Sequence, residues 1–230
     1  MTQNPLQLLS SMAAREVLRE LVALYGTLSG QPVNAAAAGG VDVAKRVSDG
    51  EVVDAVVLSD TAIDKLIASG RLLAGSRVDI ARSGVAIAVR TGTARPDVAS
   101  EQAVKQAVLG AKTLSYSTGP SGVYLEKLFD RWGILATIRD RIVVPPPGVP
   151  VATLVANGTA ELGFQQLSEL LNVPGIQVLG PLPAAIQSIT VFSGAVSAQC
   201  NRPDAARALL AYMASQSAEA VKQRYGMEAA

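Results

Sequence analysis

Small donor residues recur at one kind of position along this chain. Ser10 and Ser11 in "LLSSMA", Gly39 and Gly40 in "AAGGVDV", and Ser121 and Gly122 in "YSTGPSGVY" each follow a strand-like run and open a helix-like one. Gly148 and Val149 in "PPPGVPVA" repeat the placement. A helix start presents main-chain N–H groups without intrahelical partners and the positive end of a dipole, which together attract anions. Serine adds a hydroxyl, and glycine lets a ligand come close to the backbone. The chemistry suggested is reversible capture of an anion by neutral donors. Each turn alone has a plainer reading, since serine is a preferred N-cap and Gly-Gly a common loop. Gly119 and Gly122 do not belong to a P-loop, because G-x-x-x-x-G-K-[ST] is absent, and no dinucleotide fingerprint follows a strand. Gln165 and Gln166 end another strand pattern, and as neighbours they point to opposite faces. One is then free to be structural while the other faces a ligand.

Composition removes several functions. The 230 residues contain no histidine, which excludes Ser-His-Asp and Cys-His nucleophiles and His-ligated zinc. Cys200 is the single cysteine, so no internal disulfide or thiolate cluster forms, and it reads as a small apolar residue on a late strand. Lys plus Arg is 20 against 19 for Asp plus Glu, and aromatics are 4%, which argues against nucleic acid as a partner. No run approaches the ~18 apolar residues of a membrane span, so no membrane insertion is expected. No cofactor or metal is called for. Asp42, Asp60 and Glu169 lie just behind strand ends, where carboxylates do acid–base work. Asp42 and Asp60 read rather as support for helix starts, and Arg15, Lys45 and Arg82 as solvated cations. No catalytic residue is assigned. The opening "MTQNPLQLLSSMAARE" lacks the basic and apolar regions of an export signal. As written the chain is expected to be cytoplasmic, with the periplasm as the alternative if a leader has been removed.

The elements that would position these turns alternate between strand and helix periods. Strands are expected at 6–9, 33–36, 54–59, 84–92 and 113–117, with helices at 13–25, 62–72, 101–111 and 122–132 among them. Ser121 is expected to cap the last of these and Gly133 to stop it. A rigid turn over 145–150 leads to a helix at 151–156, and a late helix spans 203–215. This order predicts an α/β fold with a mainly parallel sheet and helices on both faces, where ligands bind at strand carboxyl ends.

"GEVVDAVVLSD", "YSTGPSGVYLEKLFDRWGI" and "VATLVANGTAELGFQQLSEL" resemble the molybdate-type branch of the type II periplasmic solute-binding proteins, over essentially the whole chain. The resemblance implies two doubly wound α/β lobes joined by two hinge strands. They would be 1–84 with 192–230 and 85–191, closing on an anion held by neutral donors in an interlobe cleft. Carried over residue by residue, Ser11 matches a ligand serine, and Gly39 and Gly40 the second turn. Ser121 lies at an amide-donor position, Gly148 or Val149 at another, and Gln166 where molybdate binders carry tyrosine. The ligand-binding set is Ser10, Ser11, Gly39, Gly40, Ser59, Ser121, Gly122, Val149 and Gln166. Glycines in place of hydroxyls in the second turn, and Gln166 in place of tyrosine, depart from the molybdate binders, and the Gln165-Gln166 form is closer to a subgroup that includes aconitate isomerase-like proteins. The implied function is capture of a small anion, an organic acid ahead of molybdate. The alternatives are oxyanion binding, or isomerisation of an unsaturated tricarboxylate with Tyr116, Tyr124 and Glu169 as bases to inspect. An ABC permease is the implied partner if the chain is exported.

Overall fold

Strand and helix alternate from the first apolar run onward in the computed structural model, which describes residues 4–146 and 148–230. Pro147 in the turn expected over 145–150, and the first three residues of the N-terminal stretch, lie outside the described residues. In chain order the elements begin β1 (Leu6–Ser11), α1 (Arg15–Ser29), β2 (Val33–Ala38), α2 (Gly40–Ser48), β3 (Ala55–Ser59), α3 (Asp60–Ala68) and β4 (Val78–Arg90). There follow α4 (Glu101–Gly110), β5 (Leu114–Tyr116), α5 (Pro120–Arg131), α6 (Leu135–Ile138), α7 (Val151–Ala156), β6 (Leu162–Gln166), α8 (Leu167–Leu170) and β7 (Ile176–Pro181). The chain closes with β8 (Ile189–Val196), α9 (Pro203–Ala214), α10 (Glu219–Arg224) and β9 (Glu228–Ala229). It divides into two compact units, one running up to Ser83 and resuming at Val191–Ala230, the other Gly84–Thr190. β4 and β8 contribute residues to both. Among the described residues no helix is long and apolar enough to cross a membrane.

In the first unit β1 pairs in parallel with β2 and β3, and β8 runs antiparallel on the far side of β3. Apart from the exposed Gln7, the runs of β1 and β3 before their closing serines are apolar on both faces because helices cover both, as expected of parallel strands. Leu6, Leu8, Ala55 and Val57 pack with Val17, Leu18 and Leu21 of α1 and with Leu209 and Leu210 of α9. Leu9, Val56 and Leu58 pack on the other side with Val43 and Val47 of α2 and Ile63 and Leu66 of α3.

In the second unit β5 and β6 are parallel, and β6 and β7 each lie antiparallel to β4. Phe129 of α5 sits edge-on to Phe164 of β6 at 6.0 Å and anchors a core with Leu125, Leu128 and Leu162. Gly163 brings α7 against the sheet. A Cβ there would lie 2.4 Å from Val155 Cγ2, which only glycine avoids.

Two expectations need correction. β4 starts at Val78 rather than at residue 84, because the charges that disguise its first half are matched. Asp79 accepts from Ser193 Oγ at 2.6 Å and pairs with Arg77 at 2.9 Å, both of which hold its carboxyl below the usual range. Cys200 lies beyond the end of β8, half-buried, and donates to Asp54 Oδ1 at 3.1 Å rather than sitting on a strand. Burial and that carboxylate push its thiol up.

Lys222 on α10 is fully buried, and its Nζ has no hydrogen-bond partner among the described residues. Burial pulls its amine below the ordinary 10.5, with Glu219 opposing weakly. A lowered base destabilises the fold increasingly as pH falls below the unfolded value, because charging the buried amine is disfavoured. Lys222→Met is therefore expected to raise the thermal midpoint at neutral pH. That gain should shrink as pH rises towards 10.5 in scans across the range. A gain that does not change with pH would show that burial does not lower the amine.

Candidate functional site

The parallel register of the first unit carries its predicted turns to one edge. Ser11 pairs with Ala38 and Ser10 with Val57, so β1, β2 and β3 all end at the carboxyl edge that α2 and α3 leave. Ser11 follows Leu9 on the face that looks towards α2. A Cβ on Gly40 would lie 3.7 Å from Ser11 Cβ and 3.9 Å from Leu58 Cδ2. Ser11 precedes a short 3-10 turn but makes no capping bond to it. Its Oγ is buried and has no hydrogen-bond partner among the described residues, so capping does not explain it. Ser10 faces the other way and donates to Ala36 O at 3.4 Å, a bond within the sheet. Ser59 is the N-cap of α3, with its hydroxyl 3.4 Å from that of Thr61.

Gly39 is the N-cap of α2 and its carbonyl accepts from Val43 N–H at 2.9 Å. The preceding first-turn amides project from the helix start by geometry. Asp42 folds back towards that start, 2.9 Å from where a Gly39 Cβ would stand, and supports the dipole as expected. Asp60 does the same at α3, accepting from Thr61 N–H at 2.6 Å. Arg15 and Lys45 are exposed and paired with Glu16 and Asp49 at 2.8 and 2.5 Å. Arg82 is exposed and reaches Glu228 at 3.6 Å. These are the solvated cations the sequence suggested.

The second unit repeats the geometry. Tyr116 pairs with Phe164, so the turn after β5 and the end of β6 reach the same edge. Ser121 does not cap α5. Gly119 is the N-cap and Pro120 takes the first helical position, where its fixed φ suits and its missing N–H costs nothing. Ser121 is instead buried in the first turn, its Oγ 2.9 Å from Ser117 Oγ. The four-residue spacing of two serines across "STGPS" signals that pair. Gly122 is required by closeness, since a Cβ would fall 1.6 Å from Ser117 O, and its N–H donates to Gly119 O at 3.0 Å. Val149 N–H donates to Pro146 O at 3.0 Å, so this amide is already engaged in a turn.

The two glutamines divide as alternation predicts. Gln165 accepts from Ala152 N–H at 3.3 Å and donates to Glu169 Oε1 at 2.8 Å, tying α7 to α8. Gln166 donates through Nε2 to Thr190 Oγ1 at 2.8 Å. Its buried Oε1 has no partner among the described residues. Thr190 carried no signal in the sequence.

The three candidate bases differ. Tyr116 is pushed up to about 12 by burial and by Glu126, whose Oε1 its hydroxyl meets at 3.4 Å. Tyr124 is raised by burial and donates to Ile186 O at 2.8 Å. Neither phenol suits proton abstraction near neutrality. Glu169 is half-buried and accepts from Gln165 Nε2.

A recess of about 530 Å³ lies elsewhere in the first unit, lined by Asn4, Gln31 and Arg202 among others. Its arginine is committed to Asn4 O at 2.7 Å and Pro5 O at 3.1 Å, and Asp204 opposes an anion there. The strand-end turns offer the better anion chemistry.

The sequence model of the family described as bacterial extracellular solute-binding protein matches residues 6–228. A protein named aconitate isomerase from a Pseudomonas species is 38% identical over 231 residues, covering 97% of this chain and 87% of that one. The periplasmic molybdate-binding protein of Azotobacter vinelandii superposes with a TM-score of 0.81 at 20% identity, over 96% of this chain and 98% of its own. A crystal structure of L-phospholactate-bound PEB3 gives a TM-score of 0.74 at 14% identity, over 97% and 99%. These structural likenesses show the fold, a mixed α/β arrangement of the type II periplasmic-binding kind.

The glycines separate packing from space for a ligand. Gly122→Ala is expected to destabilise by ~1–3 kcal/mol or more through overpacking, read as a fall in the thermal midpoint. Gly40→Ala meets only ordinary contacts and is expected to leave that midpoint within a degree or two. Equal losses in both variants would contradict this division.

Proposed function

The chain belongs to the bacterial extracellular solute-binding protein family, and from that premise we propose that it captures a small organic acid on its strand-end donor turns. The observation that carries the reading is Ser11 Oγ, buried beside Gly40 and without a partner among the described residues. A buried hydroxyl left unpaired costs free energy, which a bound anion would offset by accepting from it. Gly40 sets no side chain of its own beside that hydroxyl. The likeness to an aconitate isomerase along nearly the whole chain and to a phospholactate-bound structure supports an organic acid. In export, the partner of such a protein is an ABC permease.

The acid would be held by dipoles and hydroxyls fixed before it arrives, so water leaves without rearrangement of the protein. A screen by thermal shift tests this. Citrate, cis-aconitate or trans-aconitate is expected to stabilise by ~2.7 kcal/mol at a hundredfold excess over Kd, with molybdate and sulfate giving less. Ser11→Ala is expected to weaken the responding acid roughly tenfold in titration calorimetry. Stabilisation by molybdate alone would overturn the organic-acid reading.

Identity to an aconitate isomerase favours a second reading, isomerisation of an unsaturated tricarboxylate. A base would take a proton from the methylene carbon and return one to the far alkene carbon as the double bond moves. Glu169, held by Gln165, is the carboxylate we assign to that role. Incubation with trans-aconitate in deuterated buffer, followed by proton NMR, is expected to show conversion with deuterium in the product. Glu169→Gln should lower that rate at least about a hundredfold. No conversion by the native chain would leave binding as its function.

A further inference from the structure

We propose that Lys222 governs a proton-driven latch in the first unit, in which charging its buried amine releases the segment 219–229 from β4 and α1. The inference is independent of what the chain binds. Lysine is almost never fully buried unless paired, because its ammonium loses hydration that nothing replaces. Lys222 is 0% exposed, and its Nζ has no hydrogen-bond partner among the described residues. Its main chain holds the same segment together. The Lys222 carbonyl accepts from Tyr225 N–H and from Met227 N–H, each at 3.0 Å, and so closes the turn that carries the chain from α10 into β9. Met227 is buried in the apolar cluster that also holds Val221, Ile80 and Ala81. β9 then lies antiparallel on the first half of β4, with Ala229 opposite Ala81 and Glu228 opposite Arg82. One residue thus supplies both the acceptor of the turn and a buried amine that resists charge.

The carboxylates on the elements packed around α10 are engaged with other partners. On α1, Glu16 pairs with Arg15 and Arg19 at 2.8 and 2.7 Å, and Glu20 meets Arg224 and the Tyr225 hydroxyl. Tyr25 packs its ring against Tyr212 of α9. On β4, Asp79 pairs with Arg77, and Arg82 reaches Glu228 of β9 at 3.6 Å. The 3-10 turn Gln216–Ala218 before α10 has no titratable group. Burial disfavours the charged amine and outweighs Glu219 of α10, which favours it. The closed segment therefore takes a proton less readily than the released one. Release takes one up, so it becomes easier as pH falls from 10.5 towards the lowered value, by about tenfold per unit, and levels off below it. The exposed pairs of Arg224 with Glu20 and Arg82 with Glu228 add little to hold the segment.

Two measurements on the native chain test this. Carbon NMR of the lysine side chains, followed from about pH 6 to about pH 11, is expected to show one amine titrating below the rest, absent from Lys222→Met. Hydrogen exchange read by mass spectrometry and corrected for intrinsic rates is expected to show protection of 219–229 rising about tenfold per pH unit above that midpoint. β3 should stay more protected than the segment throughout, and in Lys222→Met the rise should vanish. If that variant does not fold, the two native measurements still decide the matter. A Lys222 amine that titrates with the other lysines, or protection of 219–229 that does not follow its midpoint, would overturn the proposal. So would the same pH dependence in Lys222→Met, or exchange of the segment together with β3, since release would then be global unfolding.

Discussion

A parallel sheet covered by helices on both faces has little place for polar side chains except the ends of its strands. β1 and β3 show the constraint plainly. Leu8, Leu9, Val56, Val57 and Leu58 are all buried, alternating between two apolar clusters, and serines follow only at Ser10, Ser11 and Ser59. In the other unit, β6 buries Leu162 and Phe164 before reaching Gln165 and Gln166. The polar groups are therefore gathered at the carboxyl edges, where helix starts add main-chain donors.

The donors so gathered are neutral. The cations beside these turns are held elsewhere, as in the ion pairs of Arg15 with Glu16 and Lys45 with Asp49. A buried charge without a partner would cost far more than a hydroxyl or an amide. Neutral dipoles bind an anion without leaving an unpaired cation in its absence, which suits a protein that must also release its ligand. Asp42 and Asp60 at the starts of α2 and α3 offset part of the positive end of those helices.

Much of this was legible in the sequence because the signals were local. The strands near 6–9, 33–36 and 54–59 and the helices after them follow from changes of period and from small residues, although the first two strands run two residues further, to Ser11 and Ala38. The opposite facing of Gln165 and Gln166, with different partners, follows from strand alternation. What was not legible depends on partners distant in the chain. Asp79 and Arg82 disguised the first half of β4, since Ser193 is 114 positions away from the aspartate it satisfies. Ser121 was misplaced as a cap because proline's preference for the first helical turn outweighed serine's for the cap. Thr190 gave no sign, because its bond to Gln166 spans two strands that only the fold brings near.

The central claim is that the strand-end turns, not the recess near Arg202, hold the ligand. A crystal structure grown with cis-aconitate tests it directly. The account predicts the acid within hydrogen-bond distance of Ser11 Oγ and the first amides of α2. Density for the acid beside Asn4, Gln31 and Arg202, with Ser11 Oγ still unpaired, would contradict it.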